Sequence, residues 1–294
     1  TPVSITAKGG ATTTVNAVVR DQYGNVVVNT PVAFASNAGV WIGSQVITTN
    51  NAGTATAILR AGTTAQAVTV TATTVGNIQG STDIQFVAGA PGTIQLSAGL
   101  PSLMANGTAT TTLKAAVRDV HGNLVAATPV VFAGTGGAVD PNISLTDAQG
   151  EASTTFTAGT AAGSAIVTAT AANASLTATT TVTLNPGNPA QIDLAVIPEQ
   201  IPADGESQAL VMALVRDVHG NPTPGRVLTF DAASLVSITI SATTDSTGVA
   251  TATLTAGGRA GLASISAITP GASQNASIRL LPAANSMTLS ATPE

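Results

Sequence analysis

The chain has 294 residues, of which 44% are hydrophobic, but only 8% are charged and 2% aromatic. It carries a net charge of −5, nine scattered Lys and Arg from Lys8 to Arg279, and no cysteine. That excludes a basic surface for nucleic acid or an anionic membrane, and a disulfide framework. The hydrophobic fraction is largely Ala and Val interleaved with Thr and Ser, which points to thin, strand-built cores rather than disorder. No apolar span is long enough to insert into a membrane and no signal peptide is evident, as expected of a mature secreted segment or an excised one.

In chain order, the first strand presents Val15, Ala17 and Val19 on one face and runs into "RDQYGN" at 20–25. The same hexapeptide returns as "RDVHGN" at 118–123 and 216–221, so the starts at 20, 118 and 216 are 98 residues apart. A fixed interval of domain size predicts tandem units. Asp21, Gly24 and Asn25, then Asp119, Gly122 and Asn123, then Asp217, Gly220 and Asn221, read as turn residues. Gly and Asn tolerate positive φ, and the Asp side chain can bond loop amides. Tyr23, His121 and His219 fill the variable slot over the turn.

Each turn leads to a run ending in Phe: "TPVAF" at 30–34, "TPVVF" at 128–132, "RVLTF" at 226–230. A second turn follows, "NNAG" at 50–53, "DAQG" at 147–150, "DSTG" at 245–248, and then an "AG" pair at 61–62, 158–159 and 256–257. Beyond the second turn the inward sets are Ala55, Ala57, Leu59; Ala152, Thr154, Phe156; and Ala250, Ala252, Leu254. A further strand adds Val68, Val70, Ala72; Ala165, Val167, Ala169; and Ala263, Ile265, Ala267. Period-two alternation in short strands between turn signals predicts antiparallel β-sandwiches, with no long amphipathic helix.

This pattern resembles the bacterial immunoglobulin-like domains of group 1, the stalk domains of invasin- and intimin-type adhesins. Repeat two carries it best, in "IQLSA" 94–98, "ANG" 105–107, "VRDVHGN" 117–123, "PVVF" 129–132, "TDAQG" 146–150 and "VTAT" 167–170. Repeat three departs with "LTF" and "ISAI", and repeat one with "NNAG". The resemblance covers essentially the whole chain and its motifs are structural. It implies an all-β chain of three tandem immunoglobulin-like antiparallel β-sandwiches forming an elongated rod, extracellular or on the bacterial cell surface. The expected units are 1–89, 90–187 and 188–283, with 284–294 as the first strand of a following domain or a donated strand. Each unit would be roughly 40 Å long at about 3.3 Å per residue.

Nothing in the sequence calls for catalysis, a cofactor or a metal. His121 and His219 are equivalent positions in different repeats. Adjacent Arg and Asp at 20/21, 118/119 and 216/217 point to opposite strand faces. The acidic turns at Asp147 and Asp245 lack a calcium-loop pattern, and Asn50 replaces the acid in repeat one. Four N-x-S/T sequons start at Asn106, Asn142, Asn173 and Asn275. Trp41, with Val139 in its place in repeat two, reads as a core or edge plug, or, if exposed, as a contact residue.

Repeats two and three open with "TIQLSA" at 93–98 and "QIDLAV" at 191–196, for which repeat one has no counterpart. The missing pattern stands at 286–291, "SMTLSA", where Met287 and Leu289 match Ile94 and Leu96 and "TPE" at 292–294 matches "TPV" at 1–3. Two readings stay open. The chain is a segment of a longer tandem array, or it polymerises head to tail, with Met287, Leu289 and Ala291 entering the first domain of the next subunit. Either way, residues 1–10 are expected to hold a strand like 286–291. Leu210, Met212 and Leu214 alternate with inward Val211, Ala213 and Val215 and mark a lateral or interdomain contact. The partners expected are further immunoglobulin-like domains, of this chain or a neighbour, with no nucleic acid and no direct membrane insertion. The function expected is a structural, non-enzymatic stalk or filament module; the alternative is a module that binds a receptor or glycan.

Overall fold

The structure is a computed structural model that describes residues 3–172, 174–284 and 286–290. Within these residues all regular structure is β. The first sandwich contains β1 (Val3–Thr6), β2 (Thr12–Val18), β3 (Pro31–Ser36), β4 (Val40–Ile42), β5 (Val46–Thr48), β6 (Thr54–Arg60), β7 (Gln66–Thr74) and β8 (Gln79–Val87). The second contains β9 (Pro91–Ala98), β10 (Ser102–Met104), β11 (Thr110–Asp119), β12 (Pro129–Gly134), β13 (Gly137–Asp140), β14 (Ile143–Leu145), β15 (Glu151–Ala158), β16 (Gly163–Ala171) and β17 (Leu176–Asn185). The third contains β18 (Gln191–Ile197), β19 (Gln200–Pro202), β20 (Gln208–Arg216), β21 (Val227–Ala232), β22 (Val236–Ile238), β23 (Ser241–Thr243), β24 (Val249–Ala256), β25 (Gly261–Thr269) and β26 (Ala272–Leu281).

The second and third sandwiches each pair a five-stranded sheet with a four-stranded one: β10-β17-β16-β12-β14 with β13-β15-β11-β9, and β19-β26-β25-β21-β23 with β18-β20-β24-β22. The first has the same five-stranded sheet, β1-β8-β7-β3-β5, but only three strands opposite it, β2-β6-β4. The position held by β9 beside β11 and by β18 beside β20 has no strand beside β2 among the described residues.

The sandwiches are antiparallel except for one short parallel pair in each, β1 with β8, β10 with β17 and β19 with β26. The expected antiparallel sandwiches are present, and the parallel pair is an addition the alternation did not specify. After β9 the chain kinks at Gly99–Pro101, where the Gly99 amide donates to the Thr112 carbonyl (2.8 Å) and the Leu100 amide to Thr111 Oγ1 (2.7 Å). It then crosses to the other sheet and lies along that sheet's last strand. The structure does correct the reading of residues 1–10. Their strand, β1, belongs to the five-stranded sheet and is the counterpart of β10 and β19, not of β9 or of 286–291.

The inward sets read from period two form the cores. Val15, Phe34, Leu59 and Phe86 are buried in the first sandwich, and Val211, Phe230, Leu254 and Ile265 in the third. The second has two clusters, around Leu113 and Phe156 and around Val117 and Phe132, with Leu96 and Val139 packed against both. The edge strands β4, β13 and β22 each set an apolar side chain opposite a buried Leu or Phe of the neighbouring strand. Trp41 sits opposite Leu59, Val139 opposite Phe156, and Ile238 opposite Leu254. Trp41 is half-buried with its ring centroid 5.7 Å from that of Phe34, so the plug reading holds.

Candidate interdomain joint and open sheet edge

Each hexapeptide turn folds around its own Asp. In the second sandwich, Asp119 Oδ1 accepts from the amides of His121 (2.8 Å) and Asn123 (2.9 Å), and Oδ2 accepts from Asn123 Nδ2 (2.8 Å). Arg118 Nη1 donates to the Gly122 carbonyl (2.8 Å), and Gly122 takes the positive φ of +85° that favours glycine. The remaining polar groups of the turn face the first sandwich. Asp119 Oδ2 accepts from the Gly89 amide (2.8 Å). Asn123 Nδ2 donates to the Thr63 carbonyl (2.8 Å), and Asn123 Oδ1 accepts from the Ala65 amide (2.8 Å). One side chain thus holds a carbonyl and an amide of the neighbouring loop while its Asp partner holds the linker.

The next joint repeats this bond for bond. The Gly187 amide donates to Asp217 Oδ2, Asn221 Nδ2 donates to the Thr160 carbonyl, and the Ala162 amide donates to Asn221 Oδ1, each at 2.8 Å. Asp119 and Asp217 are only 2% exposed. Burial works against the charge of Asp119. The hydrogen bonds from the Asn123 side chain and from the Gly89, Asn123 and His121 amides outweigh it and bring the carboxyl down to about 2. The same balance lowers Asp217.

The first sandwich builds an identical turn. Asp21 Oδ1 accepts from the Tyr23 and Asn25 amides (2.9 Å each), Asn25 Nδ2 donates to Asp21 Oδ2 (3.0 Å), and Arg20 Nη1 donates to the Gly24 carbonyl (2.8 Å). Here Asp21, Asn25 and Tyr23 are exposed, and no bond to another sandwich is present among the described residues. His121 and His219 are likewise exposed at the tips of their turns.

The open edge lies in the same sandwich. In the second, Ile94 and Leu96 of β9 stand opposite Val117 and Ala115, which are fully buried. In the third, Ile192 and Leu194 stand opposite Val215 and Ala213, also fully buried. Beside β2 the equivalent Val19 and Ala17 are only half-buried, and they line a cleft of about 400 Å³ closed on its far side by Gly80 and Thr82 of β8. Ala72, whose equivalents Ala169 and Ala267 are fully buried, is half-buried for the same reason. Residues 286–290 join no strand, and Met287 and Leu289 are 93% and 94% exposed. Ala291 lies outside the described residues.

The model of the invasin domain 3 family matches residues 1–89 and 188–283, and the model of the bacterial immunoglobulin-like domain, group 1, matches residues 93–185. The chain belongs to the invasin domain 3 family. The middle unit, which carried the group 1 pattern best, is the one that matches the group 1 model. A curated relative, the inverse autotransporter adhesin YeeJ of Escherichia coli K12, is 28% identical over 270 residues, 85% of this chain and 11% of that protein. The chain therefore spans about a tenth of that relative. Among solved structures, InvD of Yersinia pseudotuberculosis superposes with a TM-score of 0.65 at 18% identity, covering 95% of each chain. The Escherichia coli adhesin FdeC does so with a TM-score of 0.60 at 22% identity, covering 95% of this chain and 94% of that one. Both share the fold of this invasin-type chain.

The other residues singled out in the sequence lie on identifiable elements of this fold. Leu210, Met212 and Leu214 lie on the outer face of β20, exposed or half-buried, beside Ile197, Ala195 and Val249 on neighbouring strands. In the second sandwich that face is polar, and Lys114 pairs with Glu151 at 3.1 Å. Asp147 and Asp245 cap their own turns through backbone amides. Asn50 Oδ1 does the same for the amides of Ala52 and Thr54, so the charge is dispensable there. No group of three or more potential metal-ligating side chains stands together among the described residues. The cross-joint role of Asp119, Asn123, Asp217 and Asn221 goes beyond the turn role read from sequence. Its one sequence signal is that Asn closes all three turns, while the slot two residues earlier varies between Tyr and His.

Proposed function

We propose that this chain is a structural stalk module of a bacterial surface adhesin, standing outside the cell and performing no catalysis. The observation that carries this is the repetition of one bond set at two successive joints. A turn that fixes its own Asp and Asn, then uses both to grip the preceding sandwich and linker, holds successive units in one repeated relation. The relatives named as adhesins support the same reading.

The open edge of β2 supports a finer one, association head to tail by strand donation. An unpaired edge beside a half-exposed apolar cleft favours β-augmentation, and a second copy supplies the matching pattern in residues 286–290. Met287 and Leu289 would take the places that Ile94 and Leu96 hold in the second sandwich, opposite Val19 and Ala17. The test is deletion of 286–294. The shortened chain should keep three folded sandwiches by circular dichroism and lose concentration-dependent, end-to-end association in sedimentation velocity. A fluorescent SMTLSATPE peptide should bind the shortened chain. Undiminished association after deletion would show that the cleft is filled otherwise, as by a preceding segment of a longer polypeptide.

A further inference from the structure

The cleft beside β2 is not the only half-finished feature of the first sandwich. Asn25 sits where Asn123 and Asn221 sit, held by the same Asp bonds, with its outward amide groups unengaged among the described residues. The groups that such an Asn grips are a backbone carbonyl and, two residues on, a backbone amide just after the "AG" pair: Thr63 and Ala65, then Thr160 and Ala162. The third sandwich has the corresponding pair at Gly258 and Ala260, after Ala256 and Gly257. Neither Gly258 nor Ala260 donates or accepts a bond of this kind among the described residues. The two residues line an open cleft of about 400 Å³ with Ala203, Asp204 and Pro282. At the first joint, the cleft that contains Ala65 is closed from the other side by Asn123 and Val125. Because the contact reads backbone atoms, the change from Thr63 and Thr160 to Gly258 leaves both gripped groups in place.

We infer that the turn at 20–25 and the Gly258–Ala260 shelf are the two halves of a third latch, closed between two copies of this chain. Asn25 Nδ2 of one copy donates to the Gly258 carbonyl of the next, and the Ala260 amide donates to Asn25 Oδ1. The counterpart of the linker glycines Gly89 and Gly187 is Asn285, outside the described residues. The latch deepens the head-to-tail reading and rests on it. It gives that contact a polar, orientation-fixing component independent of the donated strand, so that the joint between copies copies the joint within one.

The experiment is a concentration series of the full chain in sedimentation velocity, beside binding of the SMTLSATPE peptide to the chain lacking 286–294. Asn25→Ala should weaken association by about fivefold to a hundredfold, the loss expected of two net hydrogen bonds. The same substitution in the shortened chain should leave peptide binding unchanged. Ala260→Pro, which removes the gripped amide, should weaken association comparably with an unaltered circular dichroism spectrum. Asn123→Ala, at an internal joint, should not weaken association. Wild-type association in both Asn25→Ala and Asn25→Asp overturns the latch and leaves strand donation standing. A peptide that does not bind, with association unaffected by deleting 286–294, overturns strand donation alone. A wild-type chain that stays monomeric throughout the series overturns both.

Discussion

The first and second sandwiches contain the same turn, built from the same internal hydrogen bonds, in opposite surroundings. Around Asp119 and Asn123 it is closed over by the preceding loop and linker; around Asp21 and Asn25 it is open to solvent. The turn is therefore complete before any neighbour arrives, and docking adds bonds without rearranging it. A residue pair that looks purely local is also an interface, and which role dominates depends on what lies next to it. The sheet edges give the parallel lesson. Ala115 and Val117 are sealed by β9, whereas Ala17 and Val19 are half-open because β2 has no such neighbour.

The largest way to break this contrast is Phe132→Ala, which empties a buried position among small side chains. It should destabilise the second sandwich by about 3–5 kcal/mol. Trp41 is the chain's single Trp, so its fluorescence reports the first sandwich. In the intact chain the Trp41 transition, which reports the sandwich with the open edge, should come first in a urea titration. In the variant the loss of total β-signal should precede it; a Trp41 transition that is not first in the intact chain would show that the open edge is not a weak point.

Asn123→Ala should cost roughly 1–3 kcal/mol of coupling across the first joint, from two lost bonds and a stranded carbonyl and amide. Residual dipolar couplings should show the first two sandwiches reorienting independently, while each keeps its own couplings. The corresponding change at Asn25 removes only the bond to Asp21 within its own turn and should leave the relative orientation of the sandwiches unchanged. Acid offers a graded version of the same break. The Asp119 carboxyl is lower in the folded state than its ordinary 3.8, at about 2. Its contribution is therefore fully present above pH about 4 and is lost as pH falls through about 2. Interdomain order measured by small-angle scattering should decay across that window and not between pH 5 and 8.

The smallest effect concerns the outer faces. Lys114 and Glu151 form an exposed pair where the third sandwich has Met212 and its apolar neighbours. Glu151→Gln should change unfolding free energy by less than about 0.5 kcal/mol. A larger value would mark the outer face of the second sandwich as a contact surface.

Strand faces were legible wherever burial on one side enforces period two, as with Val68 and Val70 or Ala263 and Ile265. The turns were legible because positive φ at Gly24, Gly122 and Gly220 restricts what can stand there. The short strand β1 was visible as an element but not as a member of its sheet, since three or four residues carry no pairing partner in their own pattern. The latch was hidden for a different reason. Asn123 bonds residues 58 and 60 positions away, through backbone atoms that leave no trace in residue type. The vacancy beside β2 was legible only by comparing repeats, because an unpaired edge has the same residues as a paired one.

The short parallel pair in each sandwich sets how such a module would answer to a pull. In the second, β10 lies along β17 with Ser102 beside Thr183 and Met104 beside Asn185, and the Ala105 amide donates to the Asn185 carbonyl at 2.8 Å. The chain enters the second sandwich through β9, crosses at Gly99–Pro101 to β10, and leaves from the end of β17. Tension on the two ends therefore draws these neighbours past each other along their common axis. Their bonds are strained in shear and must fail together, instead of peeling open one at a time as in a hairpin pulled from its open end. The first and third sandwiches carry the same arrangement, β1 on β8 and β19 on β26. In the second and third sandwiches a pull reaches this seam through β9 on β11 and β18 on β20, whereas in the first no such strand stands before β1 among the described residues, and the seam takes the load directly.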